Sequence, residues 1–196
     1  MRQLSSIRSP VRRYENSGGS PIVALGKLTV SRLPGAHHRG LLRAGNACFP
    51  CALGRSGLTQ TKREGDGATP VATLPLRALH YRPDRLYRPV TGLPVRAIRP
   101  FDGWCDSPGH PLYNRLVRHP FPASAERMWR DDRLYDCVVE LGWNDDPVLP
   151  GRGSAIFLHI CREGFHPTEG CVAVEPPTMA RLLPRLSTET VMIIEG

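Results

Sequence analysis

The sequence predicts a mainly β fold, sandwich-like, with one or two short helices and long loops. Glycine and proline number 19 and 20 in 196 residues. That punctuation is too dense for a helical bundle and suits many short elements joined by turns. Beyond about Ile22 the sequence runs as short apolar stretches with turns between them, and Lys27–Leu33 alternates with period two, as a half-buried strand does. Helical patterns never alternate regularly with strands, which disfavours a doubly wound parallel sheet.

The elements follow in order. Residues 1–26 are polar and basic, include Ser17-Gly18-Gly19-Ser20, and are expected to form a disordered leader, leaving 27–196 as one domain. Lys27–Leu33 alternates as a strand. Leu41–Arg43 and Ala47–Leu53 read as a hairpin, and 54–70 as a loop rich in Gly. Val71–Tyr81 resumes strand character, with Pro75 admissible only at an edge or a bulge. The proline-rich stretch 82–122 reads as an extended insertion with little regular structure. Ser124 offers an N-cap for a short helix over 125–130. Tyr135–Leu141, Ser154–Ile160, 171–174 and Val191–Ile194 read as strands, and Pro177 as the first residue of a helix to about Leu186.

The net charge of +8 is an N-terminal property. Residues 1–69 hold 11 Lys/Arg against Glu15, Glu64 and Asp66, whereas 70–196 hold 15 Arg against 15 Asp/Glu. A basic arm suits nucleic acid or an anionic surface, but no aromatic residues interleave the basic run. A solvated tail and no nucleic-acid partner are therefore expected. No apolar run approaches the ~18 residues of a spanning helix, so no integral membrane segment is expected. The N-terminus lacks the apolar core of a signal peptide, which points to the cytoplasm if Met1 is the true start. Cys48-Phe49-Pro50-Cys51 has metal-like spacing, but no second such pair appears, so neither metal nor cofactor is expected. The sequence is silent on oligomeric state.

The densest chemistry lies in Phe157-Leu158-His159 and Thr168-Glu169-Gly170-Cys171-Val172. A cysteine nucleophile acts as thiolate, and a neighbouring imidazole can take its proton and hold an ion pair with it. Gly170 frees the backbone to turn before the sulfur and to aim N–H groups at an oxyanion. The twelve-residue gap lets His159 and Cys171 meet across a hairpin-like connection. By spacing alone the same residues also fit a small buried thiol and a satisfied strand-end histidine. His166, five residues before Cys171, competes as the base.

Thr168–Val172 resembles the [Ser/Thr]-x-Gly-Cys-[Ile/Val] signature of the YkuD-type L,D-transpeptidase catalytic domain, with Phe157-Leu158-His159 as its upstream histidine. Glu64–Pro70 is similar to the family's Gly-Asp-x-x-Thr-Pro loop. Gly103–Asp106 with Tyr113-Asn114-Arg115, and Gly142–Pro147 with 151–159, resemble one bacterial branch of it. The resemblance implies a YkuD-like β-sandwich and a thiol acyltransferase that acts on peptidoglycan stem peptides through a thioester and forms 3→3 crosslinks. Cys171 would be the nucleophile, His159 the base, and the N–H groups of Gly170 and Cys171 the oxyanion donors. Thr168, Glu169, Arg162, His166, Asn114, Arg115 and Asn144 would meet substrate. The family often carries a basic residue two positions after its cysteine. Here that position is Ala173, and Arg162 or Arg115 is the replacement to look for. The alternatives are an L,D-carboxypeptidase using the same pair, or a non-catalytic peptidoglycan-binding module. The resemblance also implies the cell envelope or periplasm, against the missing signal peptide.

Overall fold

The computed structural model of the chain describes residues 23–196. In order these form β1 (Lys27–Arg32), β2 (Arg39–Ala44), β3 (Ala47–Ala52), β4 (Leu58–Thr59), β5 (Thr69–Pro70), β6 (Ala72–Tyr81), β7 (Val95–Ala97), β8 (Asp102–Cys105), β9 (Leu116–Arg118), β10 (Ala125–Arg127), β11 (Cys137–Leu141), β12 (Phe157–Ile160), β13 (Val172–Val174), α1 (Pro176–Leu182), a 3-10 turn at Leu183–Arg185, and β14 (Val191–Glu195). The mainly β expectation holds. Most of the leader lies outside the described residues. Leu25 is buried, its N–H donating to the Arg185 carbonyl (2.8 Å) and its carbonyl accepting from Thr190 Oγ1 (2.6 Å).

The main sheet runs β11-β12-β13-β3-β2-β1-β14-β6-β7, and β11 also pairs with β6. That pairing closes the sheet on itself, so the sandwich-like arrangement is realised as a ring that leaves few strand edges unpaired. Alternation, broken in β6 between Leu76 and Leu79 where the register shifts, fills the inside. Leu28 and Val30 of β1, Leu74, Leu76 and Leu79 of β6, and Met192 and Ile194 of β14 are buried in one aliphatic cluster. Pro75 sits opposite Val191 of β14, and on the other edge the β11 register shifts between Val139 and Leu141. The irregularity spares a ladder bond that proline cannot donate, while its carbonyl accepts from the Gly142 N–H (2.8 Å).

The stretch 82–122 has little regular structure, as expected, and carries only the short β7, β8 and β9. One expectation fails in the middle of the chain. The 125–130 segment is not a helix, because Ala125–Arg127 pairs antiparallel with Gly103–Cys105 of β8. A six-residue helix has too little cooperativity to compete with strand pairing on an existing edge. The resulting sheet, β10-β8-β9, brings a second apolar cluster to the outside of the ring: Ile98, Trp104, Met128, Tyr135, Val138, Phe157 and Cys171. At the C-terminus α1 ends at Leu182, and Pro184 falls in the 3-10 turn.

Candidate active site

β12 and β13 run parallel, with Leu158 opposite Val172, His159 opposite Ala173 and Ile160 opposite Val174. The link between them is therefore a crossover and not the hairpin expected from spacing. A gap of twelve residues is near the shortest that returns a chain to a parallel neighbour. Thr168 pins this crossover to the chain after β3: its N–H donates to the Leu53 carbonyl (2.9 Å) and its carbonyl accepts from the Arg55 N–H (2.9 Å). Alternation then sorts the side chains. Leu158, Ile160, Val172 and Val174 face the aliphatic interior. Phe157, His159, Cys171 and Ala173 share the other face, where Cys171 joins the outer cluster.

His159 and Cys171 line one cavity of about 430 Å³, together with Glu64, Asp106, Glu126, Arg130, Tyr135 and Ala173. Of the expected substrate residues, Thr168, Glu169, Arg162 and His166 also line it. Glu169 is exposed and ion-paired with Arg55. Asn114, Arg115 and Asn144 do not line the cavity. Arg115 donates to the Asp145 carbonyl (2.9 Å), and Asn144 clamps the turn that follows it through Leu149 N–H and carbonyl (2.8 and 3.0 Å) and the Gly153 carbonyl (2.9 Å).

The His159 imidazole is 6% exposed, and its Nδ1 lies 2.8 Å from the Ile160 carbonyl. A carbonyl only accepts, so Nδ1 carries the hydrogen and Nε2 keeps its lone pair. The Tyr135 ring meets the imidazole edge-on at 5.3 Å. Burial lowers the imidazole to about 4, against the rise that the Ile160 contact favours. Cys171 is 7% exposed; its Sγ donates to the Ala155 carbonyl (3.2 Å) and accepts from the Phe157 N–H (3.3 Å). Burial raises the thiol to about 12, and Glu126 adds to the rise, while the Phe157 N–H and Lys62 pull the other way. Desolvation thus penalises both charged forms before substrate arrives, working against the expected ion pair and towards a neutral imidazole and a neutral thiol.

Gly170 has φ +133, and a Cβ there would meet the Ala68 carbonyl at 2.8 Å. Glycine is required first by that close approach. Its N–H donates to Thr168 Oγ1 (3.2 Å), which in turn donates to the Cys171 carbonyl (2.7 Å).

Sequence reasoning passed over the polar supports of the cavity. Glu64 accepts from the hydroxyls of Tyr113 and Ser154, and Tyr113, pushed up by burial and by Glu64, keeps its hydrogen. Glu126 accepts from Tyr135 (2.7 Å), and Arg130 lies 3.5 Å from it. Burial raises Glu126 despite both. Lys62 is buried and ion-paired with Asp66. Burial works to raise the Asp66 carboxyl, but Lys62 and the N–H groups of Arg63 and Ala68 outweigh it and hold it low. Glu64 and Asp66 stand in the Gly-Asp-x-x-Thr-Pro-like loop and Tyr113 in Tyr-Asn-Arg, so motif membership was the available signal. Cys48 and Cys51 share β3 three residues apart, one exposed and one buried, and so point to opposite faces.

Residues 36–194 match the family model described as YkuD, L,D-transpeptidase catalytic domain. No curated protein and no solved structure matches the chain.

Proposed function

The chain belongs to the YkuD L,D-transpeptidase catalytic-domain family, and we propose that it is a cysteine acyltransferase acting on peptidoglycan stem peptides. The observation that carries this reading is the outward face shared by His159 and Cys171 in one cavity, with His159 held in the tautomer that leaves Nε2 free as a base. Cys171 Sγ attacks the carbonyl of the L-centre of the third stem residue as its hydrogen passes to His159 Nε2. Because both groups start neutral, transfer accompanies attack instead of preceding it. The N–H groups of Cys171 and Gly170 receive the developing oxyanion, Gly170 by leaving Thr168 Oγ1. The tetrahedral intermediate expels the terminal D-residue as an amine that takes the proton from His159, leaving a thioester. An amine of a neighbouring stem attacks the thioester, gives its proton to His159, and frees the thiol with a 3→3 crosslink formed.

Incubation with tetrapeptide muropeptides tests this reading. Dimers linked 3→3 with loss of the terminal D-residue are expected. Tripeptide without dimer makes the protein a carboxypeptidase, with water as acceptor. Absence of any turnover, with no thioester adduct from a carbapenem, leaves a non-catalytic module. The reading also places the protein in the cell envelope, where stem peptides lie, and N-terminal sequencing of the native protein tests that location.

A further inference from the structure

Asn114 is buried, 3% exposed, and sits in the left-handed region at φ 55. All of its amide capacity is used within the protein. Oδ1 accepts from Trp104 Nε1 (2.9 Å) and from the Ala155 N–H (3.0 Å). Nδ2 donates to the Trp143 and Asn144 carbonyls (2.9 and 2.8 Å). Nothing is left for substrate, so its expected role as a substrate contact has no free atom behind it.

Its partner Ala155 is itself at φ 52, a conformation that an alanine adopts only when its surroundings impose it. That conformation turns the Ala155 carbonyl onto Cys171 Sγ, and the Phe157 N–H meets the same sulfur from two residues on. The thiol is thereby donor and acceptor at once, a pairing that only its protonated form satisfies. Trp104 ties the two ends together, bonding Asn114 and packing edge-on to Phe157 at 5.1 Å.

We propose that Asn114 is a positioning residue for the nucleophile, holding Ala155 so that its carbonyl parks the Cys171 thiol until substrate displaces it. Attack requires the thiol to leave this carbonyl and hand its hydrogen to His159. The proposal rests on Cys171 being the nucleophile, as read above, but its test does not need turnover.

The test is the pH profile of Cys171 alkylation by iodoacetamide, followed by mass spectrometry on the peptide carrying Cys171 in the full chain. Asn114→Gly removes the amide while keeping the left-handed backbone accessible. Loss of one hydrogen bond to the protonated thiol is expected to lower the midpoint by about half a pH unit or more. Ala155→Gly, which lets the carbonyl turn away, is expected to move it in the same direction. If Asn114→Gly does not fold, Ala155→Gly decides alone. A wild-type midpoint in the folded variants overturns the proposal. So does a muropeptide KM that rises in Asn114→Gly with kcat unchanged, because that pattern belongs to a substrate contact. A wild-type protein without turnover would sink the acyltransfer reading and leave the parking proposal to be decided by the alkylation profile.

Discussion

Leu158 and His159 are neighbours in β12, yet they belong to two different interiors. Leu158 points into an apolar cluster whose residues come from β1, β2, β6, β13 and β14 among other elements. His159 points outward beneath Tyr135, beside a cluster that holds Trp104, Phe157 and Cys171 and is covered by chain from the 95–135 region. Both residues are almost fully buried. The difference lies in what covers them. The ring interior is closed by strands that alternate in sequence, whereas the outer face is closed by an insertion bearing carboxylates, hydroxyls and arginines. The larger apolar cluster lies inside the ring, and the proposed chemistry on the outside, one residue away.

The comparison breaks most sharply at the sulfur. Cys171→Ala is expected to abolish the carbapenem mass adduct and all muropeptide turnover while leaving the melting temperature close to that of the wild type, since the change removes one atom from a small side chain. Leu158→Ala is expected to do the reverse. It empties part of the ring interior and costs about 2–5 kcal/mol of stability by denaturant titration. Turnover per folded molecule stays within a few-fold. If Leu158→Ala instead abolished adduct formation in folded protein, the two interiors would not be separable.

The inner half of this division was legible in the sequence. Lys27–Leu33 alternates with period two, Val71–Tyr81 and the apolar run Val191–Ile194 have strand character, and each forms the strand so implied. The signature around His159 and Cys171 singled out two residues that line one cavity. The outer cover was not legible. Residues 82–122 lack alternation because β7, β8 and β9 have only three or four residues each and take their pairing from distant partners. The parallel pairing of β12 with β13 was hidden for a similar reason: a twelve-residue gap fits a hairpin with a long loop as well as a crossover, and the choice is made by β3, which pairs with β13 through Ala52 and Ala173. The polar supports of the cavity escaped because Glu64, Tyr113 and Ser154 are far apart in sequence and meet only once both layers are assembled.

A third test uses pH. His159 is held near 4 by burial, below its ordinary 6.5, so the folded protein binds fewer protons than the unfolded chain between those values. Its contribution is therefore complete above about pH 6.5 and is lost as pH falls towards 4, an amount on the order of 3 kcal/mol at the limit. His159→Gln is expected to flatten that part of the stability profile measured by denaturant midpoint. An unchanged slope would mean that the imidazole is more solvated than its surroundings under Tyr135 imply.

The smallest effect separates the acidic wall of the cavity from the parking of the thiol. Burial is the main reason that the Cys171 thiol is raised, and the Glu126 charge is the second. Glu126→Gln removes that charge and keeps an acceptor for the Tyr135 hydroxyl, so the midpoint of Cys171 alkylation is expected to fall by a fraction of a pH unit. Burial itself also raises Glu126. An unchanged midpoint would mean that the Glu126 charge does not reach the sulfur, and a midpoint that rises would mean that the substitution disturbed Tyr135 and His159, which no change of charge requires.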